Sequence, residues 1–235
     1  MAQKKLQRFA DIKTFSNVLE YPVNMQGKWS SFFKNDNPVV LELACGRGEY
    51  AVALATLFPD QNFIGVDIKG NRMYVGAKKA LENNLTNAAF LRTQIEMLPN
   101  YFAANEVDEI WITFPDPQLR TSKAKRRLTH PRFLRLYQQV LKPGGFLHLK
   151  TDSPALYNFT KKLIEMYSLV LADSSEDVYA IAEVPEILKI KTHYESLDIA
   201  QSKKIFYLKF QLPEVIPNLD EALQQFLKET EPVQI

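Results

Sequence analysis

One cysteine, Cys45, and three scattered histidines are all that 235 residues offer for thiol and imidazole chemistry. A single cysteine excludes an intramolecular disulfide framework and a cysteine-based zinc site, and so few histidines leave a metal little to bind. No run of 18 apolar residues occurs, which excludes a transmembrane helix, and the polar, charged opening lacks the pattern of a secretory signal. A soluble cytoplasmic protein without membrane or metal is therefore expected, and no obligate protein partner is evident. Net charge is only +2, so the molecule as a whole is not strongly basic. What is present fits one large globular domain: 46% hydrophobic and 24% charged residues, with no internal repeat and no low-complexity stretch.

The positive charge that does exist is concentrated. Ile110–Phe114 reads as a short buried strand that stops at Pro115-Asp116-Pro117, where two prolines remove backbone donors and fix the local geometry. Arg120, Lys123, Lys125, Arg126, Arg127, Arg132 and Arg135 follow, and no Asp or Glu occurs between Asp116 and Asp152. A carboxylate on a rigid turn, followed by a loop of one sign, suggests a site for a polyanion.

Residues 1–37 carry Lys4, Lys5, Arg8 and Lys13 among breakers and read as a basic extension, partly disordered at its start. It is either a solvated tail or an arm that touches nucleic acid. From residue 38 strands alternate with helices. Val39–Leu43 leads into the turn Ala44-Cys45-Gly46-Arg47-Gly48-Glu49 and a helix over Tyr50–Phe58; Asn62–Val66 ends at Asp67. A strand, a glycine turn, a helix and an acid about 20 residues on open a nucleotide-binding unit. Helices over Asn71–Asn83, Pro131–Leu141 and Tyr157–Tyr167 and strands at Ala89–Arg92, Phe146–Leu149 and Ile205–Leu212 continue the pattern, with Lys142-Pro143-Gly144-Gly145 ending the middle helix. Residues 172–190 show no clear pattern, and the tail from Pro213 has room for a helix near Asp220–Lys228. The expected architecture is α/β: a mostly parallel central sheet with helices on both faces and an antiparallel C-terminal strand. Ligands of such sheets bind beyond the carboxyl ends of the strands, where Glu42, Asp67, Asp116 and Asp152 should gather.

Glu49 at the helix start would repel a pyrophosphate, whereas S-adenosylmethionine is cationic and offers ribose hydroxyls to carboxylates. At this point the motifs become specific. Leu41–Glu49, Gly65-Val66-Asp67 and Leu141–Gly145 resemble class I S-adenosylmethionine-dependent methyltransferases, a Rossmann-like fold. Phe114–Pro117, Lys125–Leu128, Thr151-Asp152 and Thr192–Glu195 narrow the resemblance to bacterial tRNA (guanine-N7)-methyltransferases, over roughly residues 38–212. The resemblance implies methyl transfer to N7 of a guanine in the variable loop of tRNA. It implies cofactor contacts at Glu42, Gly46, Gly48, Asp67, Gln94 and Asp116, with Asp116 also catalytic. Arg120, Asp152, Thr192, Tyr194 and Glu195 take substrate positions, and Lys123, Lys125, Arg126 and Arg127 should track RNA phosphates. Ala44 stands where the family usually has its first glycine, which a negative φ would tolerate, and Gln118 stands where it usually has tryptophan. The alternatives are a class I methyltransferase for another RNA or a protein, and an RNA-binding protein without catalysis. Cys45, the three histidines and Trp111 are read as structural.

Overall fold

The computed structural model describes residues 2–197 and 204–230, with side chains from residue 6. Eight strands form one sheet: β1 Val18–Glu20, β2 Val39–Leu43, β3 Asn62–Asp67, β4 Ala88–Arg92, β5 Val107–Thr113, β6 Leu141–Thr151, β7 Val170–Ser175 and β8 Phe206–Gln211. Their order is β1-β4-β3-β2-β5-β6-β8-β7. The first six are parallel to their neighbours; β8 runs antiparallel to β6, and β7 antiparallel to β8. This is the expected class I topology.

The helices are α1 Ala2–Asp11, α2 Trp29–Phe33, α3 Glu49–Leu57, α4 Gly70–Glu82, α5 Pro131–Tyr137, α6 Pro154–Met166, α7 Glu186–Lys189, α8 His193–Ser196 and α9 Asp220–Thr230. The central strands are predominantly apolar because both faces are covered. Successive side chains alternate between two cores. Leu41, Leu43, Ile64, Val66, Ile110 and Ile112 join α2, α5, α6 and α9 on one side. Val40, Phe63, Phe90 and Trp111 join α3 and α4 on the other. Each such side chain contributes about 1.5–3 kcal/mol on full burial.

Three expectations change. Residues 12–37 are no mere extension: Ile12 and Trp29 are fully buried, β1 pairs with β4, and Trp29 stacks on Phe102 at 5.1 Å while its indole donates to the Tyr101 carbonyl. Helix α5 stops at Tyr137, and Lys142-Pro143-Gly144-Gly145 lies within β6 rather than ending a helix. Pairing with β5 jumps from Val107↔Leu141 to Glu109↔Phe146, so these residues bulge from the ladder, where a proline lacking its N–H is tolerated. Packing also continues past residue 212. Leu223 and Leu227 of α9 are buried, and Asp220 accepts two hydrogen bonds from Arg135 (2.8 and 2.9 Å) and one from the Tyr167 hydroxyl.

Candidate active site

A cleft of about 730 Å³ opens at the carboxyl ends of β2 to β6. That lies within the 300–1,000 Å³ usual for small-ligand sites.

One side is built by the turn after β2. Ala44, Gly46 and Gly48 all adopt positive φ (54°, 56° and 71°), which coils the chain so that the Gly46 amide donates to Asp67 Oδ2 at 2.9 Å. The Lys69 amide donates to Asp67 Oδ1 at 2.8 Å. Asp67 is thus held by both oxygens, each with lone-pair capacity left for a hydroxyl. Gln94 borders the same side, next to Thr93, whose buried hydroxyl has no hydrogen-bond partner. Ala44 departs from the negative φ expected of it; the turn imposes the left-handed region on whatever residue stands there.

Two of the expected cofactor residues lie outside the cleft wall. Glu42 is 3% exposed and sits beneath the floor, accepting from the Ala51 amide (2.9 Å) and the Thr113 hydroxyl (2.9 Å). Burial, with Glu49 and Asp67 adding negative charge nearby, pushes its carboxyl up to about 8, so at neutral pH it is mostly a neutral acid that ties β2 to α3 and β5. Gly48 serves packing: a Cβ there would lie 2.3 Å from the Phe90 ring.

The opposite side carries the second set of acids. Phe114 takes φ +47° as β5 ends, its amide still bonded to the Lys150 carbonyl (2.8 Å), and Pro115 and Pro117 then present Asp116 at the surface. Asp116 Oδ1 accepts from the Gln118 amide at 3.0 Å. Asp152 at the end of β6, and Thr192 and Tyr194 around α8, complete this wall. Thr192 Oγ1 caps α8 by accepting from the Glu195 amide at 3.1 Å.

Other expectations are redistributed. Glu195 faces away from the cleft, paired with Lys150 at 3.0 Å and bonded to the Tyr179 hydroxyl. Arg120, Lys123 and Lys125 are exposed on or beside a 3-10 helix, Thr121–Arg126, without reaching the cleft, whereas Arg126 borders it. Arg127 does not fit an RNA-phosphate contact. It is 1% exposed, donates to the Gln118 and Leu119 carbonyls and stacks 4.4 Å from the Phe159 ring, shaping the loop from within. His130, its pKa pushed down to about 4 by burial, caps α5. Cys45 borders the cleft, but burial pushes its thiol well above the usual range, away from a reactive thiolate. Among the described residues no three His, Cys, Asp or Glu side chains converge as a metal site requires.

The sequence profile of a family described as "Putative methyltransferase" matches residues 36–208. The tRNA (guanine-N(7)-)-methyltransferase of Bacteroides thetaiotaomicron is 48% identical over 223 residues, covering 91% of this chain and 88% of its own length. That of Porphyromonas gingivalis is 49% identical over 215 residues, covering 86% and 87%. The chain belongs to the tRNA (guanine-N7)-methyltransferase family. In fold it also matches the 16S rRNA methyltransferase KamB (TM-score 0.57, 19% identity, covering 75% of this chain and 89% of that one). A 16S rRNA (adenine(1408)-N(1))-methyltransferase from Catenulisporales acidiphilia matches similarly (TM-score 0.58, 16% identity, covering 79% and 92%).

One part of the surface of this tRNA (guanine-N7)-methyltransferase family member lies outside the residues that the resemblance implies. A second depression of about 250 Å³ is lined by Arg8, Arg47, Arg72 and His193 and joins the cleft through Arg72 and Tyr194. The Arg72 guanidinium lies 5.5 Å from the Tyr194 ring centre. Arg47 within the glycine turn was a visible signal; Arg8 and Arg72 are brought there only by the docking of α1 on α4.

Proposed function

We propose that this protein transfers the methyl group of S-adenosylmethionine to N7 of a guanine in the variable loop of tRNA. The observation that carries the reading is the pairing, across one cleft, of the anchored Asp67 with the surface acid Asp116 on its proline-braced turn, next to an acid-free basic loop. When bound, S-adenosylmethionine supplies an electrophilic methyl on a sulfonium. Asp67 accepts the ribose hydroxyls, Gln94 and the unpartnered Thr93 hydroxyl face the adenine end, and Asp116 brings a surface carboxylate to the opposite wall for the cation.

Guanine N7 carries an in-plane lone pair, so the protein need not remove a proton before attack. Its work is alignment, which reaches effective molarities of about 10⁵–10⁸ M in favourable intramolecular cases. Asp116 and Asp152 accept from guanine N1–H and the 2-amino group and offset positive charge as it moves onto the base. Thr192 and Tyr194 form the wall beside it. Arg126, with Arg120, Lys123 and Lys125 further out and the Arg8–Arg47–Arg72 depression on the other flank, neutralises phosphates of the strand that presents the guanine. Residues 38–212 are the methyltransferase unit proper, with β1, α2 and α9 from the flanking segments built into its sheet and core. The proposed setting is the cytoplasm, with tRNA as the partner. Among the described residues, no helix is long and apolar enough to cross a membrane.

The test is methyl transfer from labelled S-adenosylmethionine to unmodified bulk tRNA, followed by nucleoside analysis. 7-Methylguanosine in the variable loop is expected. Cofactor binding without methylated tRNA would move the reading to another substrate. Asp116→Asn should lower kcat about 10²-fold or more while both ligands still bind, the size seen when one preorganised group at developing charge is lost; unchanged turnover would remove Asp116 from the mechanism.

A further inference from the structure

Lys150 is fully buried in β6, and no step above uses it. Its ammonium donates to the Leu188 carbonyl (2.9 Å), the Ile190 carbonyl (2.8 Å) and Glu195 Oε2 (3.0 Å), which employs all three of its donors. The rings of Tyr50, Phe114 and Tyr179 surround it at 5.5–5.8 Å. Desolvation holds its pKa below the usual lysine value, opposed by Glu195.

All three acceptors lie within residues 188–195. That segment carries Thr192 and Tyr194 into the cleft, yet its own regular structure is limited to α7 and α8, four residues each. A second tie, from the Tyr50 hydroxyl to the Ile187 carbonyl (2.5 Å), lies just before it. Asp152 is two residues beyond Lys150, and the Lys150 carbonyl also fixes Phe114 at the start of the Asp116 turn. One residue is therefore bonded both to residues 188–195 and to the start of the Asp116 turn, and lies two positions before Asp152 on the same strand. A buried ammonium is a costly way to fill a core, since an apolar side chain of similar volume often gives equal or better stability.

We propose that Lys150 is a positioning residue: its ammonium clamps residues 188–195 onto the sheet and so sets the place of Thr192 and Tyr194 opposite Asp116 and Asp152. This role rests on reading that wall as the guanine side of the site. The cofactor side hangs from β2, β3 and β4, so the clamp should matter for tRNA and little for S-adenosylmethionine.

The experiment compares wild type with Lys150→Met, which keeps the volume and removes the donors, and with Lys150→Gln, which keeps two donors on a shorter, neutral arm. S-adenosylmethionine affinity is measured by calorimetry, tRNA KM and kcat by methyl transfer, and backbone mobility by hydrogen exchange. A loosened wall of this kind can cost up to about 10²-fold. Lys150→Met is expected to raise tRNA KM about tenfold or more while cofactor affinity stays within about twofold, with Lys150→Gln between the two. Amides of residues 186–197 should exchange faster while those of β2 to β4 do not change. Unchanged tRNA KM and exchange in Lys150→Met would overturn the proposal. So would a parallel loss of cofactor affinity and tRNA KM, the mark of general unpacking; if Lys150→Met does not fold, Lys150→Gln is judged by the same split. Should wild type make no 7-methylguanosine, the functional reading falls, and the exchange data still decide whether the clamp exists.

Discussion

Glu42 offers the sharpest quantitative test, because its behaviour follows chiefly from burial. Its carboxyl is pushed up to about 8 in the folded protein, against 4.5 for an exposed glutamate. The folded state therefore keeps a proton that the unfolded chain releases, and stability falls as pH rises between those two values. The contribution is fully present below 4.5, is eroded at about 1.4 kcal/mol per pH unit, and levels off above 8. Between pH 5.5 and 7.0 the loss is about 2 kcal/mol. For a chain of 150–250 residues that is roughly 4–8 °C in Tm. Glu42→Gln removes the titration and keeps the shape: the amide oxygen can accept from Ala51 and the amide nitrogen can donate to the Thr113 hydroxyl. Melting both proteins by calorimetry across pH 5–8 should show the variant gaining on wild type by about 4–8 °C from pH 5.5 to 7.0. Titration of other groups is common to both proteins and cancels in the difference. Parallel Tm curves would refute the reasoning, since they would mean that Glu42 ionises in place without cost. Cofactor affinity of the variant should stay within about twofold, because Glu42 lies outside the cleft.

Ala44→Gly should stabilise slightly. The left-handed φ costs alanine about 1–2 kcal/mol, of which the extra freedom of glycine in the unfolded chain cancels about 0.4–1. A Tm rise of a few degrees at most is expected, and a clear fall would contradict the φ of +54°. Asp67→Ala removes two charged acceptors for the ribose, each worth about 1.5–3 kcal/mol, and should weaken S-adenosylmethionine binding by about 10²-fold or more in calorimetry; an unchanged Kd would move the ribose elsewhere. Arg126→Ala should reduce the salt slope of tRNA binding by about 0.7–0.9 with little change in Tm. Arg127→Ala should instead destabilise by about 2–4 kcal/mol, since it leaves the Gln118 and Leu119 carbonyls without their donor and a gap against Phe159. If the two arginine variants behaved alike in both assays, their separation by burial would be wrong.

The central sheet was legible because residues buried on both faces write their strands as mainly apolar runs, and those of β2, β3, β5 and β6 ended at an acid or a glycine turn. Asp67, Asp116 and Asp152 were placed by that rule alone. Glu42 was misplaced by the same rule: it lies inside β2 rather than after it, and that offset puts it under the floor. Arg127 could not be separated from Arg126 by composition, since a basic run does not show which guanidinium turns inward. The bulge at Lys142–Gly145 carried breaker residues that imitate a helix end, and only the register of β6 against β5 reveals a strand. Edge strand β1, three residues long, has partners some 70 residues away and no local signature. The ties of Lys150 to residues 188–195 are likewise contacts across about 40 residues, outside any local pattern.

The pairing of β1 with β4 also orders events during synthesis. Glu20 meets Arg92 across 72 residues of chain, and Trp29 needs Tyr101 and Phe102 to cover it. The ribosome therefore releases Val18–Glu20 and an uncovered indole long before either has anything to dock on. The stretch made first must wait until residues 88–102 follow it, and through that interval its apolar groups are left without their native cover. Arg8, carried on α1 beside the cleft, likewise reaches its place only when α1 docks on α4, so the N-terminal flank of the site is completed by a part of the chain made some 60 residues later.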